Sequence, residues 1–161
     1  MKKKSALNAV ERKILVRLLF SIYFAVMFWL LFGQRLGAER PDGYGAYLQT
    51  NTNLIPFATV KLYISLLRRT TNPYLIRHAC VNLLGNVIVF IPLGMMLPKI
   101  FPKLRAAWRL LLLVTAIIIA VEVLQFLTFL GSCDVDDLIL NVFGAALGWA
   151  FWKMSEAGRE K

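Results

Sequence analysis

The chain has 161 residues, 58% of them hydrophobic and 17% charged, with a mean hydropathy of +0.63 and a formal net charge of +10. A soluble domain of this size cannot hide so much apolar surface, so the composition points to one domain in a membrane. The basic balance does not signal nucleic acid: lysines and arginines gather at the ends of apolar runs, as membrane flanks do, and no nucleic-acid motif accompanies them.

The first apolar run is Leu18–Phe32, extendable back to Ile14 if Arg17 snorkels. Its start, Lys2-Lys3-Lys4, would suit a signal peptide, but no small-x-small cleavage site follows Phe32, so a retained span is expected. A long loop then carries Asn-Leu-Ile-Pro-Phe at 53–57, where Pro56 fixes a turn before an amphipathic stretch. Phe57, Val60, Tyr63, Ile64 and Leu67 fall on one helical face, with Lys61, Ser65, Arg68 and Arg69 opposite. That pattern suits a helix lying at the interface, placed as a lid. The second run carries Asn82 and Asn86, four residues apart on one face. It also holds Pro92 and Gly94, which predict a kink or break, because proline removes a donor and crowds the Ile88 carbonyl. The third run contains Glu122 and Gln125, paired by their spacing, and the fourth opens at Asp134, Asp136 and Asp137 and continues through Asn141. Gly144 and Gly148 form a G-x-x-x-G stripe that lets another helix approach closely.

These elements predict an all-α integral membrane protein with four transmembrane helices. A basic N-terminus (1–13) precedes a single four-helix domain (14–152) and a short tail (153–161). The spans are 14–32, 79–97, 110–130 and 136–152, with a long outer loop at 33–78. Of the 19 lysines and arginines, thirteen fall on one side if both termini are cytoplasmic, and six (Arg35, Arg40, Lys61, Arg68, Arg69, Arg77) in the outer loop. The bias sets that orientation. It places Asn82, Asn86, Glu122, Gln125, Asp134, Asp137 and Asn141 in the outer half of the bilayer, with Glu122 roughly 12 Å below Leu130 at 1.5 Å per residue. Polar groups at membrane depth face a bundle interior or wet cavity and mark a functional site by default, so a polar pocket open to the outer face is expected. Two cysteines, Cys80 and Cys133, are too few for a disulfide framework and are expected as free thiols.

Four segments in order, Asn53–Phe57, Asn86–Gly94, Glu122–Phe126 and Asp134–Asn141 with Gly144, resemble the VanZ-like family over residues 53–148. The resemblance implies a small integral membrane protein of the bacterial plasma membrane. The family is named for a protein giving low-level resistance to teicoplanin, a glycopeptide that binds the D-Ala-D-Ala end of cell-wall precursors. Many relatives carry an arginine just before the first aspartate of the turn. Here that place reads Gly131-Ser132-Cys133, leaving Arg77 or Arg40 as substitutes, or no cation at all.

Several readings of the polar residues stand side by side. Asp134, Asp136 and Asp137 suit helix capping, with Asp136 the weakest candidate for more. Asn82, Asn86 and Asn141 suit interhelical hydrogen bonds. Glu122, Asp134 and Asp137 are the candidates for catalysis, if there is any, and together with Asn53, Asn82, Asn86, Gln125 and Asn141 they outline the ligand pocket. His78 is a lone interface histidine with no catalytic role expected. No calcium loop, zinc spacing, phosphate loop or Ser/His or Cys/His nucleophile pattern is present, so no metal or cofactor is expected. Three functions fit: a non-catalytic envelope factor binding a polar lipid headgroup or cell-wall precursor, an enzyme with Glu122 and Asp134/Asp137 as acid and base, and a proton-coupled transporter or flippase component that forms a homo-oligomer through Gly144 and Gly148.

Overall fold

A computed structural model describes residues 2–33, 45, 47 and 51–158. Helix α1 runs Lys2–Phe32, α2 Ala58–Arg69, α3 Pro73–Ile100, α4 Ala107–Leu127 and α5 Val135–Ala157. A 3-10 turn, Pro102–Arg105, joins α3 to α4, and two short strands, β1 (Thr52–Asn53) and β2 (Cys133–Asp134), pair in parallel. The architecture is all-α, and four helices are long and apolar enough to cross a membrane: Val10–Phe32 within α1, then α3, α4 and α5. Arg35, Arg40, Arg159 and Lys161, which enter the charge count, lie outside the described residues, as does most of the loop between α1 and β1.

The helices follow local rules. Asn72 caps α3, its side chain accepting from the Tyr74 N–H at 2.9 Å, and Pro73 occupies the first turn, where its missing donor costs nothing. The helix then runs through Pro92 and Pro98 without the break expected at Pro92. Its neighbour explains why it holds together there. Gly94 lies against the Ala145 carbonyl of α5, Gly144 against Val87, and Gly148 against Ile91, so the two backbones touch. The glycine stripe is therefore used inside the chain, and a second copy would have to dock on another face.

Around this pair, Met27, Phe90, Leu93, Leu97, Leu110, Val114, Ile118 and Ala145 form the buried core. Helix α1 joins it through Met27 and through the Tyr23 hydroxyl, which donates to the Val89 carbonyl at 2.7 Å. Ile22, Val81, Ile88, Leu112, Ile119, Phe143 and Phe151 stay exposed on the outside of the bundle, as lipid-facing positions do when the solvent is itself apolar.

The third span ends at Leu127, three residues before the expected Leu130. Leu130 N–H returns to the Gln125 carbonyl at 2.8 Å and Phe129 N–H to Phe126 at 3.3 Å, the paired bonds of a Schellman motif. The left-handed position that glycine normally fills is Phe129, φ 58°. Its ring packs 4.9 Å from that of Tyr47, whose hydroxyl donates to the Gly131 carbonyl. Tyr47, just before β1, thus grips the turn that follows α4.

Candidate functional site

The α4–α5 turn and the 51–60 segment build the site together. Cys133 N–H donates to the Asn51 carbonyl at 2.8 Å, and the strand register sets Asn53 opposite Asp134. Asp134 sits just before α5 in extended conformation and caps it, taking the Asp136 N–H at 2.8 Å. The same carboxylate accepts from Asn53 Nδ2 at 3.2 Å and from the Thr59 hydroxyl at 2.6 Å. Asn53 also donates to Thr59 at 2.8 Å and accepts from Ile55 N–H at 3.2 Å, which turns the chain into Pro56.

Asp136, the weakest aspartate on sequence grounds, is the most enclosed: it has no exposed surface. One carboxylate oxygen takes the Phe57 N–H at 2.5 Å and the other the Val60 N–H at 3.0 Å. Those are orphan donors at the start of α2. Phe57 itself stands in the left-handed region, φ 64°, with no cap of its own. A side chain 79 positions away supplies the cap instead. Capping within α5 was the expected role; capping a different helix could not be read from spacing.

Asp137 turns toward α3 and accepts from Asn86 Nδ2 at 2.5 Å. Asn82, expected on the same face, bonds back to its own helix, donating to the His78 carbonyl at 2.8 Å. The His78 ring stands edge-on to Tyr63 at 5.8 Å. Burial raises the Tyr63 phenol above its ordinary range, and the charges of Asp137 and Asp134 raise it further. Asp134, Asp137 and Asn141 therefore do not act as one stripe: Asp134 serves the loop, Asp137 serves α3, and Asn141 lies one turn deeper.

Gln125 is not the partner of Glu122. It is buried and donates to the Leu31 carbonyl at 2.7 Å, tying α4 to the end of α1. Glu122 faces the turn, and its charge reaches Cys133. Burial pushes that thiol above the usual range, with Glu122 and Asp134 adding to the shift. Cys80 and Cys133 are free thiols, and a raised thiol is a poor nucleophile. Asn141 is buried, and among the described residues its Oδ1 has no hydrogen-bond partner.

The face of α2 also differs from expectation. Val60, Tyr63, Leu66 and Leu67 turn inward, while Phe57 and Ile64 are exposed. Leu54 and Ile55 join them at 68% and 71% exposure, an apolar tip beside the exposed cations Lys61, Arg68 and Arg69. Among the described residues, which do not include Arg40, no arginine replaces the one absent from the turn for Asp134 or Asp136. Their donors are backbone N–H groups, an amide and a hydroxyl, and Arg77 is exposed. Among the described residues no three His, Cys, Asp or Glu side chains gather as a metal site requires.

Thr59 and Asp136 are the site residues that the sequence reading missed. A signal for Asp136 existed: the unfilled cap of the amphipathic helix, which carries no Ser, Thr, Asp or Asn at position 57.

The VanZ/LLP1 family model matches residues 20–156. The chain is similar to Protein VanZ of Enterococcus faecium, 28% identical over 148 residues, covering 89% of this chain and 76% of that one. No solved structure matches.

Proposed function

This chain belongs to the VanZ/LLP1 family, and from that premise we propose that it is a resistance-associated, multi-pass protein of the bacterial plasma membrane. It acts at the outer face on a polar lipid headgroup or lipid-linked cell-wall precursor, lowering susceptibility to teicoplanin. The observation that carries this reading is the clamp of residues 51–60 across the Asp134–Asp137 turn. It joins carboxylates from one hairpin to a loop whose apolar tip suits insertion among lipids. Among the described residues Asp134 and Asp136 are held by neutral donors, so no ion pair neutralises their carboxylates, while the exposed cations Lys61, Arg68, Arg69 and Arg77 stand at the same end. Carboxylates so held favour a ligand rich in amines, N–H groups or sugar hydroxyls. The Asn141 oxygen supports the same reading, because a buried carbonyl without a donor costs about 1–3 kcal/mol and such exceptions call for a cause.

The test is expression in a susceptible Gram-positive host. Wild type should raise the inhibitory concentration of teicoplanin, and Glu122→Gln and Asp137→Asn should each lower it toward the empty-vector value at matched membrane levels. Vancomycin run in parallel defines the drug range. A wild-type strain as susceptible as the empty-vector control would end the assignment. Complete loss from Glu122→Gln alone, with Asp137→Asn unaffected, would favour proton transfer at Glu122 over headgroup binding.

A further inference from the structure

At the end of the bundle opposite Asp134, a cavity of about 420 Å³ opens between α1, the end of α3, the 3-10 turn and the end of α5. Arg12, Lys13, Arg17, Lys99 and Arg105 line it, with Glu156 as the one carboxylate among its lining residues. Val16, Ile100, Pro102 and Trp152 supply its apolar lining. The place is distinct from the acid cluster: thirteen residues separate Asn86 from Lys99 along α3, roughly 20 Å at 1.5 Å per residue.

Basic flanks of a membrane helix need only reach water, and the five lining cations are exposed, like Lys103 and Arg109 on this same side. What sets the five apart is that they come from three separate stretches of chain and border one concavity. Like charges brought together repel, and a single carboxylate cannot offset five. One lining residue is anchored from behind: Trp149 Nε1 donates to the Arg105 carbonyl at 3.0 Å, tying the 3-10 turn to α5, where Lys153 lies over the Trp149 ring at 5.0 Å. The volume falls within the range of small-ligand sites, roughly 300–1,000 Å³. Three guanidinium forks match phosphate oxygens bidentately, which ammonium groups cannot do.

We propose that this cavity binds a phosphate-bearing anion, its phosphate held among Arg12, Arg17 and Arg105 and its adjoining apolar segment against Trp152. Two sources share that chemistry: an anionic phospholipid entering from the bilayer and a soluble phosphate compound.

The experiment uses the full chain in a neutral detergent, with tryptophan emission read during titration. The probes are short-chain phosphatidylglycerol, short-chain phosphatidylcholine and inorganic pyrophosphate. Phosphatidylglycerol should bind saturably and more weakly as salt rises. The double variant Lys99→Gln/Arg105→Gln should bind it about tenfold or more weakly, as loss of two charged contacts implies. Arg68→Gln/Arg69→Gln, removing two exposed cations from α2, should bind it like wild type. Pyrophosphate that binds and displaces the lipid assigns a soluble source; lipid binding that pyrophosphate leaves untouched assigns the bilayer. Equal binding of phosphatidylcholine and phosphatidylglycerol, saturable binding of no probe by the wild type, or unchanged affinity in the Lys99/Arg105 variant overturns the proposal. The wild-type comparison of lipids decides the matter even if the variant fails to fold.

Discussion

Asp134 and Asp136 are neighbours in sequence with opposite tolerance to the same change. Asp136 offers one oxygen to Phe57 N–H and the other to Val60 N–H, and neither backbone donor can reverse its role. An amide at position 136 turns an N–H₂ against one of them. Asp136→Asn should therefore be nearly as damaging as Asp136→Ala, costing about 2–4 kcal/mol from a lost cap and an unsatisfied buried donor. Asp134 faces a different set of partners. One oxygen takes two donors, but the other meets the Thr59 hydroxyl, which can rotate and accept instead. Asp134→Asn should cost about 1 kcal/mol or less by that exchange. Thermal unfolding of the purified variants ranks them, and hydrogen exchange at Phe57 and Val60 separates local detachment of α2 from global loss. Faster exchange there in Asp134→Asn than in Asp136→Asn contradicts this account.

The pairing of α3 with α5 rests on backbone contact, and the glycines along it are not equivalent. A methyl group on Gly148 would collide with the Ile91 carbonyl and sit 3.0 Å from the Gly94 Cα. No side chain is present to yield, so a helix must move. Gly148→Ala should destabilise by about 1–3 kcal/mol through overpacking. Gly85, also inside α3, meets only the Val81 side chain at 3.9 Å. Gly85→Ala should stabilise by about 0.5–1 kcal/mol, the difference in helix propensity. Unfolding of both variants in detergent checks the contrast, and equal effects would show that close approach does not hold this pair together. The four spans and this stripe were legible in the sequence because apolar period and small-residue spacing are local signals. The partner of the stripe was not: G-x-x-x-G says that something approaches, not whether it is α3 or a second copy. The Schellman end of α4 was hidden for a related reason. Phe129 occupies a glycine position and packs against Tyr47, 82 residues earlier, a contact that local spacing cannot show. Gln125 was likewise misassigned, since spacing pointed to Glu122 while its acceptor is a carbonyl on α1.

The molecule as a whole is polar along its length. Glu122 and the aspartates of the α4–α5 turn stand at one end together with Lys61, Arg68, Arg69 and Arg77, and the other end carries Lys99, Lys103, Arg105, Arg109 and Lys153 with the basic residues of α1. Positive flanks are retained on the cytoplasmic side, so the orientation this asymmetry predicts has the acid cluster outside. Cys133 reports directly on that end. With Cys80→Ser removing the other thiol, a membrane-impermeant maleimide should label Cys133 in intact cells. Lys103→Cys, built in a chain lacking both native cysteines, should label only after permeabilisation, because it replaces an exposed residue of the basic end. The rate carries further information, because the thiolate is the reactive form. Burial and the charges of Glu122 and Asp134 raise the Cys133 thiol, so less thiolate exists at neutral pH than for an ordinary cysteine. Labelling should keep accelerating above the pH at which an exposed cysteine levels off. Glu122→Gln removes one of the raising charges, lowers the thiol back toward its ordinary range, and should speed labelling at neutral pH. A rate indifferent to Glu122→Gln would place that carboxylate away from the turn. Labelling of Cys133 only in permeabilised cells would reverse the orientation and move the acid end to the cytoplasm.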